Sequence, residues 1–277
     1  MRTRPSKTQT APRGAEQSVC LASVSYHFPN FELQGIEAEL RFGEMLGVLG
    51  PNGSGKSTLV GLASGLLMPS RGTVRIQGRD TRTAPRRWIA QQVAVVAARE
   101  EVSFGFTVAE VVAMGRAPHL GLLGLEHGID NLHTERAMRE CDVWQLRHRI
   151  MSSLSAGEQK RVAIARALAQ QAPALILDEP AAFLDVHHQI AILDLLSEKV
   201  KRDHVAAMVV LHDLNLAAQY CDRLLLLRDG RQVALGRVED VMTYRQIRDV
   251  FDVEVYVGVN ELNQSRYFVP VRSSTKG

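Results

Sequence analysis

The stretch GVLGPNGSGKST, residues 47–58, completes EMLGVLG, which reads as a buried strand, and opens KSTLVGLASGLL, a segment with helical composition. Gly50, Gly55, Lys56 and Ser57 satisfy the spacing GxxxxGK[ST], and a strand before it with a helix after it is the setting in which that spacing binds phosphate. Glycines let backbone N–H groups close around phosphate oxygens, and the helix N-terminus adds positive potential. Lys56 can then reach the β and γ phosphates while Ser57 can bind Mg²⁺. A flexible turn is the competing reading, and the flanking strand and helix weigh against it.

Working outward, VCLASVSYHF and FELQGIEAELRF alternate apolar and polar residues as half-buried strands do. From about residue 107 the pattern turns helical: Thr107 and Glu110 form a capping-box pair before VAEVVAMG, and GEQKRVAIARALAQQ is rich in helix formers. PALILDEP, VAAMVVLHD and RLLLLRDGRQVALG are near-continuous Ile/Leu/Val runs separated by helical segments. Buried strands alternating with helices predict a mostly parallel sheet in an α/β fold. VEVYV and YFVPV near the end of the chain could pair as a small closing hairpin.

Composition narrows the class. The chain has 277 residues, 45% of them hydrophobic, and a net charge of +3 spread along its length, so nothing points to nucleic acid. Arg2, Arg4, Lys7 and Arg13 stand among Ser, Thr, Pro and Gln, which reads as a disordered basic tail over residues 1–18. No apolar core follows those charges and no apolar run reaches the ~18 residues needed to span a bilayer, so neither a signal peptide nor a membrane helix is expected. Cys20, Cys141 and Cys221 lack metal-site spacing and fit reduced, buried thiols.

A second part of the site comes from ALILDEP. Asp178 and Glu179 follow an apolar strand, and ligands of open parallel sheets collect beyond the carboxyl ends of strands. Adjacent carboxylates repel unless a cation or shared proton relieves them, and a Mg²⁺-nucleotide brings that cation. Asp178 then serves the metal and Glu179 polarises the attacking water. In LSAGEQKR, Ser155 and Glu158 suffice to cap a helix, yet Ser155 with the Gly157 N–H also makes an anion site at a helix start.

GPNGSGKST, LSAGEQKRVAIARALA, LILDEPAAFLD and LHD, in that order, resemble the nucleotide-binding subunit of an ABC transporter over about residues 19–250. The resemblance implies a P-loop NTPase core with a mostly parallel sheet, an N-terminal antiparallel β region and an inserted helical subdomain at about 99–171. The ATP-binding domain is expected over 19–260, with a short extension over 261–277. Gly50, Pro51, Asn52, Gly53, Ser54, Gly55, Lys56, Ser57 and Thr58 are the expected ATP loop, with Ser57 and Asp178 on Mg²⁺. Glu179, His212 and Lys56 form the catalytic set, His212 as the histidine that meets the γ-phosphate.

The family pairs two such chains head to tail. Ser155 and Gly157 of one chain would then touch the γ-phosphate held by the other, and Asp185 would cross the interface. Tyr26 corresponds to the aromatic that stacks on adenine. FTVAEVVAMGRAPHLG, LDVHHQIAILDLL, HDLNLAAQYCDRLLLLRDG and VEDVMTYRQIRDVFDVEV resemble importers of iron chelates, haem and cobalamin. Such a subunit works at the cytoplasmic face of the membrane with permease subunits and an outside substrate-binding protein. A non-transport ABC ATPase, such as an iron-sulfur assembly factor, is the alternative; a GTPase fails on LSAGE and on the lack of NKxD.

Two departures stand out. Ala156 replaces the usual glycine of the signature, a change that a first helical turn tolerates. In VAVVAARE, Ala97 and Ala98 stand where the family ends its strand with proline and glutamine, while Gln91 and Gln92 fall too early. That glutamine normally links the metal and the attacking water to the membrane subunit, so this link is expected to suffer here unless Glu100 or Glu101 reaches in instead, against the repulsion of the γ-phosphate and Glu179.

Overall fold

A computed structural model describes residues 17–98, 105–120 and 128–271. Most of the expected basic tail, and both Glu100 and Glu101, lie outside them. In chain order the first elements are β1 (Gln17–Phe28), β2 (Phe31–Arg41), β3 (Met45–Leu49), α1 (Lys56–Ala63), β4 (Arg71–Ile76), β5 (Arg79–Asp80), α2 (Arg86–Gln92) and β6 (Val93–Val96). Three helices follow, α3 (Val108–Ala113), α4 (Gly128–Glu140) and α5 (Ala156–Ala169). Then come β7 (Ala174–Asp178), α6 (Val186–Arg202), β8 (Ala206–Val210), α7 (Leu214–Tyr220), β9 (Arg223–Arg228) and β10 (Arg231–Arg237). The chain closes with α8 (Val238–Val241), α9 (Tyr244–Phe251), β11 (Val255–Val259) and β12 (Arg266–Pro270).

Gln17 and Ser18, counted with the tail in the sequence reading, are the first residues of β1, and Ser18 is buried. The main sheet runs β5-β4-β1-β2-β10-β9-β3-β8-β7-β6. Its β9-β3-β8-β7-β6 part is parallel, and β1, β2, β4 and β5 form the antiparallel wing. The unbroken apolar runs are explained by two covered faces. Leu175, Leu177, Ala207, Val209, Leu224 and Leu226 point into one core, and Ile176, Met208, Val210, Leu225 and Leu227 into the other. Each Leu, Ile, Val or Met among them contributes about 1.5–3 kcal/mol relative to exposure, and because side chains alternate, a one-residue slip of any strand would exchange both faces.

The structure corrects the reading at several places. RLLLLRDGRQVALG splits into the antiparallel hairpin β9–β10, because Asp229 and Gly230 both take positive φ in the connecting turn. The helix from Lys56 ends at Ala63 rather than running to Leu67. Gly65 at φ +72° stops it, and the Leu67 amide returns to the Gly61 carbonyl at 2.8 Å. The closing hairpin forms as expected, with β11 and β12 antiparallel. Phe268 of β12 is buried, and its amide donates to Asn215 Oδ1 at 2.7 Å, so part of the expected extension is docked on the domain.

Helices α3, α4 and α5 lie between β6 and β7 in the chain and make the inserted subdomain. The Thr107–Glu110 capping box starts α3 as expected. Buried Arg116 pairs with buried Asp130 at 2.8 Å and donates to the Ala169 carbonyl at the end of α5 at 3.0 Å. A guanidinium at a helix C-terminus meets both its free carbonyls and its dipole.

Candidate functional site

Strand β3 is buried throughout and ends at Leu49; from Gly50 the chain loops back and enters α1 at Lys56. Gly55 is the N-cap, at φ +102°. A Cβ there would stand 2.8 Å from Phe31 Cζ, and one on Gly50 would stand 2.2 Å from the Leu227 carbonyl oxygen. Both positions therefore require glycine. Lys56 Nζ donates to the Gly50 carbonyl at 2.8 Å and the Pro51 carbonyl at 2.9 Å, so the loop is drawn into a ring by its own lysine. Burial pushes the Lys56 ammonium below its ordinary range, against the opposing pull of Glu179 and Asp178. An anion entering the ring would relieve that cost. The adjoining cleft has a volume of about 380 Å³ and is lined by Phe31, Asn52, Gly53, Gly55, Lys56, Ser57, Thr58 and Glu179.

Asp178 is the last residue of β7, which is paired on both sides, and it is 3% exposed. Burial pushes its carboxyl above the usual range; the neighbouring Ser57 hydroxyl opposes this and Glu179 adds to it. Its Oδ1, like Ser54 Oγ in the loop, is buried with no hydrogen-bond partner. Orphaned buried oxygens of this kind are rare and cost about 1–3 kcal/mol each. Among the described residues no group of three or more His, Cys, Asp or Glu side chains could hold a metal alone. A hard cation beside Asp178 and Ser57 would have to take further oxygens from phosphate or water, which is how Mg²⁺ is usually held.

Glu179 takes φ +52°, a conformation costing a non-glycine residue about 1–2 kcal/mol. Its amide donates to the Val210 carbonyl at 3.2 Å, and its carboxylate lies 2.6 Å from His212 Nε2. Parallel pairing of β7 with β8 brings together two residues 33 apart in the chain. Glu179 of this pair lines the cleft.

The remaining expected residues form a second group. Ser155 caps α5: its hydroxyl accepts from the Glu158 amide at 3.2 Å, and its amide donates to the Glu158 carboxylate at 2.8 Å. Gly157 packs on the loop after β7, since a Cβ there would lie 3.0 Å from the Phe183 carbonyl oxygen. Asp185 caps α6 and accepts from the His188 amide at 2.9 Å. Phe183 and Val186, flanking Asp185, are 70% and 75% exposed. Ser155, Gly157 and Asp185 do not line the phosphate cleft.

Tyr26 on β1 is half-buried and packs edge-on against Phe28 with ring centroids 4.7 Å apart. It too is absent from the cleft wall, where Phe31 stands instead. The sequence reading passed over Phe31; its signal was the Pro29–Asn30 turn, which carries it back to the loop at the start of β2. Ala97 and Ala98 follow β6 directly, at the sheet edge that carries Asp178.

The ABC transporter family model matches residues 33–182. The chain is 44% identical over 230 residues to a hemin import ATP-binding protein of Pseudomonas aeruginosa, covering 81% of this chain and 88% of the relative. It is 41% identical over 243 residues to a cobalamin import ATP-binding protein of Halobacterium salinarum, covering 88% of this chain but only 61% of that longer relative. Its fold matches a metal-chelate type ABC transporter in an inward-facing conformation, with TM-score 0.80 and 24% identity over 93% of this chain and 98% of the other. A dimeric ATP-binding cassette bound to ADP and Pi aligns with TM-score 0.72 and 25% identity over 79% of this chain and 98% of the other. The protein is a P-loop NTPase of α/β architecture. It belongs to the ABC transporter ATP-binding family.

Proposed function

We propose that this chain is the ATP-hydrolysing subunit of a binding-protein-dependent importer whose cargo is an iron chelate, haem or cobalamin. The observation that carries the hydrolytic part is the 2.6 Å Glu179–His212 pair, whose carboxylate lines the same cleft as Lys56. The loop amides and Lys56 hold the β and γ phosphates, the lysine exchanging its two loop carbonyls for phosphate oxygens. Ser57 and Asp178 hold Mg²⁺, which neutralises phosphate charge when bound; the orphaned Asp178 Oδ1 supports this fit. Glu179 accepts the proton of the attacking water, and His212 orients that carboxylate and meets the γ-phosphate. The base stacks on an aromatic of the antiparallel wing, for which Tyr26 and Phe31 are the candidates.

The second group supports assembly with another copy of the chain. Ser155 and Gly157 present a helix start to a γ-phosphate that their own loop does not hold, and the exposed Phe183 and Val186 beside Asp185 are apolar surface for a partner to cover. Among the described residues no helix is long and apolar enough to cross a membrane, so transport requires separate permease subunits. The chain would work at the cytoplasmic face of the membrane, with a substrate-binding protein acting from the far side. The cargo class rests on the relatives' own named cargoes, cobalamin, hemin and petrobactin.

The test is isolation of the tagged chain from its native membranes. A polytopic membrane protein should co-purify, and the complex in vesicles should hydrolyse ATP faster when a loaded binding protein is added. Co-purification with soluble assembly factors alone would overturn the importer reading in favour of a non-transport ATPase.

A further inference from the structure

Lys160 lies on α5, in the second turn after Ser155, and is buried to 6% exposure. Its Nζ donates to three backbone carbonyls: Ala97 at 3.0 Å, Asp178 at 3.1 Å and Ala98 at 3.4 Å. These carbonyls belong to two adjacent strand ends. Strands β6 and β7 are paired from Val93↔Ala174 to Val96↔Leu177, and Ala97, Ala98 and Asp178 follow directly beyond that ladder. An ammonium has three N–H donors, and bonds from a charged donor are about twice as strong as neutral ones. One side chain of α5 therefore fastens two strand ends, one of which carries Asp178 and leads into Glu179.

The consequence follows from rigidity. Helix α5 begins at Ser155 and rises about 1.5 Å per residue, so Lys160 stands roughly 7 Å along the axis from the anion-binding end. A buried lysine on the second turn cannot stay still while the first turn moves. Displacing α5 by about 1 Å would carry bonds of 3.0–3.4 Å past the useful limit. Ala97 and Ala98 offer methyl groups only, so among the described residues it is their backbone carbonyls, gripped by Lys160, that join this strand end to the signature helix.

We infer that Lys160 is a positioning residue that couples engagement of the signature helix to the placement of Asp178 and Glu179. This inference rests on the hydrolytic role proposed for that site. The ammonium also lies close enough to favour the charged form of Asp178, although burial dominates that group.

The test uses the purified full chain and compares Lys160→Met with Lys160→Arg. Nucleotide affinity, kcat, the Mg²⁺ concentration for half-maximal rate and the melting temperature are read on each. Lys160→Met should lower kcat about tenfold and raise the Mg²⁺ requirement severalfold, while nucleotide Kd changes less than twofold because the Lys56 loop is untouched. Lys160→Arg, which keeps a buried cation, should recover kcat to within about threefold of the unmodified chain. Hydrogen exchange at the amides of residues 97–98 and 178–180 should rise in the Met variant. If Lys160→Met does not fold, Lys160→Gln, which keeps two donors without charge, carries the same comparison. An unchanged kcat, or kcat and Kd lost together with arginine no better than methionine, would overturn the coupling role. An unmodified chain that binds no ATP would instead overturn the proposed function.

Discussion

Three carboxylates set the two halves of the site against each other. Asp178, beside the phosphate loop, is buried, lacks a partner on one oxygen and is pushed above its ordinary range by burial. Glu158 and Asp185, at the signature and beyond β7, are held below theirs, first by backbone amides at Ser155 and His188. The phosphate side is thus folded around unmet demand: an orphaned oxygen, a desolvated lysine and a glutamate at positive φ. On the signature side Ser155, which would meet a phosphate, and Asp185, which would cross the interface, already cap helices. A site that awaits its ligand and a site that awaits its partner are built differently. The first stores cost in charge and the second presents finished surface.

The widest test of that contrast is on the phosphate side. Lys56→Ala should weaken ATP binding a hundredfold or more, about 3 kcal/mol, measured by calorimetry. Glu179→Gln should leave binding within a few fold but slow hydrolysis by about 10²–10⁴. Size-exclusion chromatography with ATP should then find the Glu179→Gln protein as a closed dimer and Lys56→Ala as a monomer. Turnover by Glu179→Gln at the unmodified rate would remove Glu179 from its role.

The partner-dependence of the signature side is probed by a mixed dimer of one Lys56→Ala chain and one Ser155→Arg chain. In a head-to-tail pair both lesions fall in one composite site, so one intact site and one equivalent of bound nucleotide should remain. Loss of both sites would break the division between the halves. Smaller in effect is Ala98→Gln, which places an amide at the edge between them. Stimulation of the assembled transporter's ATPase by loaded binding protein should rise severalfold, and no rise would mean that the Lys160 clamp leaves nothing for a glutamine to add.

The smallest effects concern stability without nucleotide, and they should differ in sign. Asp178 has a raised folded-state pKa, so the stability supplied by its neutral form is present below the unfolded value and is lost as pH rises through the folded one. Asp178→Asn should therefore raise the melting temperature at pH 7 by about 3 °C while weakening Mg²⁺-dependent activity. Glu158 has a depressed pKa, so its contribution is present above its unfolded value and is lost as pH falls through the folded one. Ser155→Ala should lower the melting temperature by about 3 °C at pH 7, the cost of a lost cap, and the difference should shrink below about pH 4. Equal shifts of the same sign would erase the distinction.

How much was legible in the sequence follows from how local each feature is. The loop from Gly50 to Thr58, the Asp178–Glu179 pair and the caps at Thr107 and Ser155 depend on spacing within a few residues, and they stood where expected. Phe31 was missed because its place in the cleft comes from strand register, not from a motif. The end of α1 was misplaced because it depends on Leu67 folding back over Gly61, a contact that helical composition does not announce. Lys160 lay unremarked in a run read only as rich in helix formers. The three carbonyls it grips lie 62 and 63 residues before it and 18 after it.

The position of β3 in the sheet bears on the order in which the chain can become functional during synthesis. Its two neighbours are β8 and β9, which begin at Ala206 and Arg223, and the loop carbonyl of Ser54 is bound by the amide of Gly230 at 3.2 Å. A nascent chain that has already released its phosphate loop from the ribosome must therefore wait for more than 150 further residues before that loop has walls. Long-range pairing of this kind is slow and leaves apolar strands exposed meanwhile. Nucleotide can favour this fold only at the end of its making, so early assembly has to succeed without help from the molecule that the finished protein consumes.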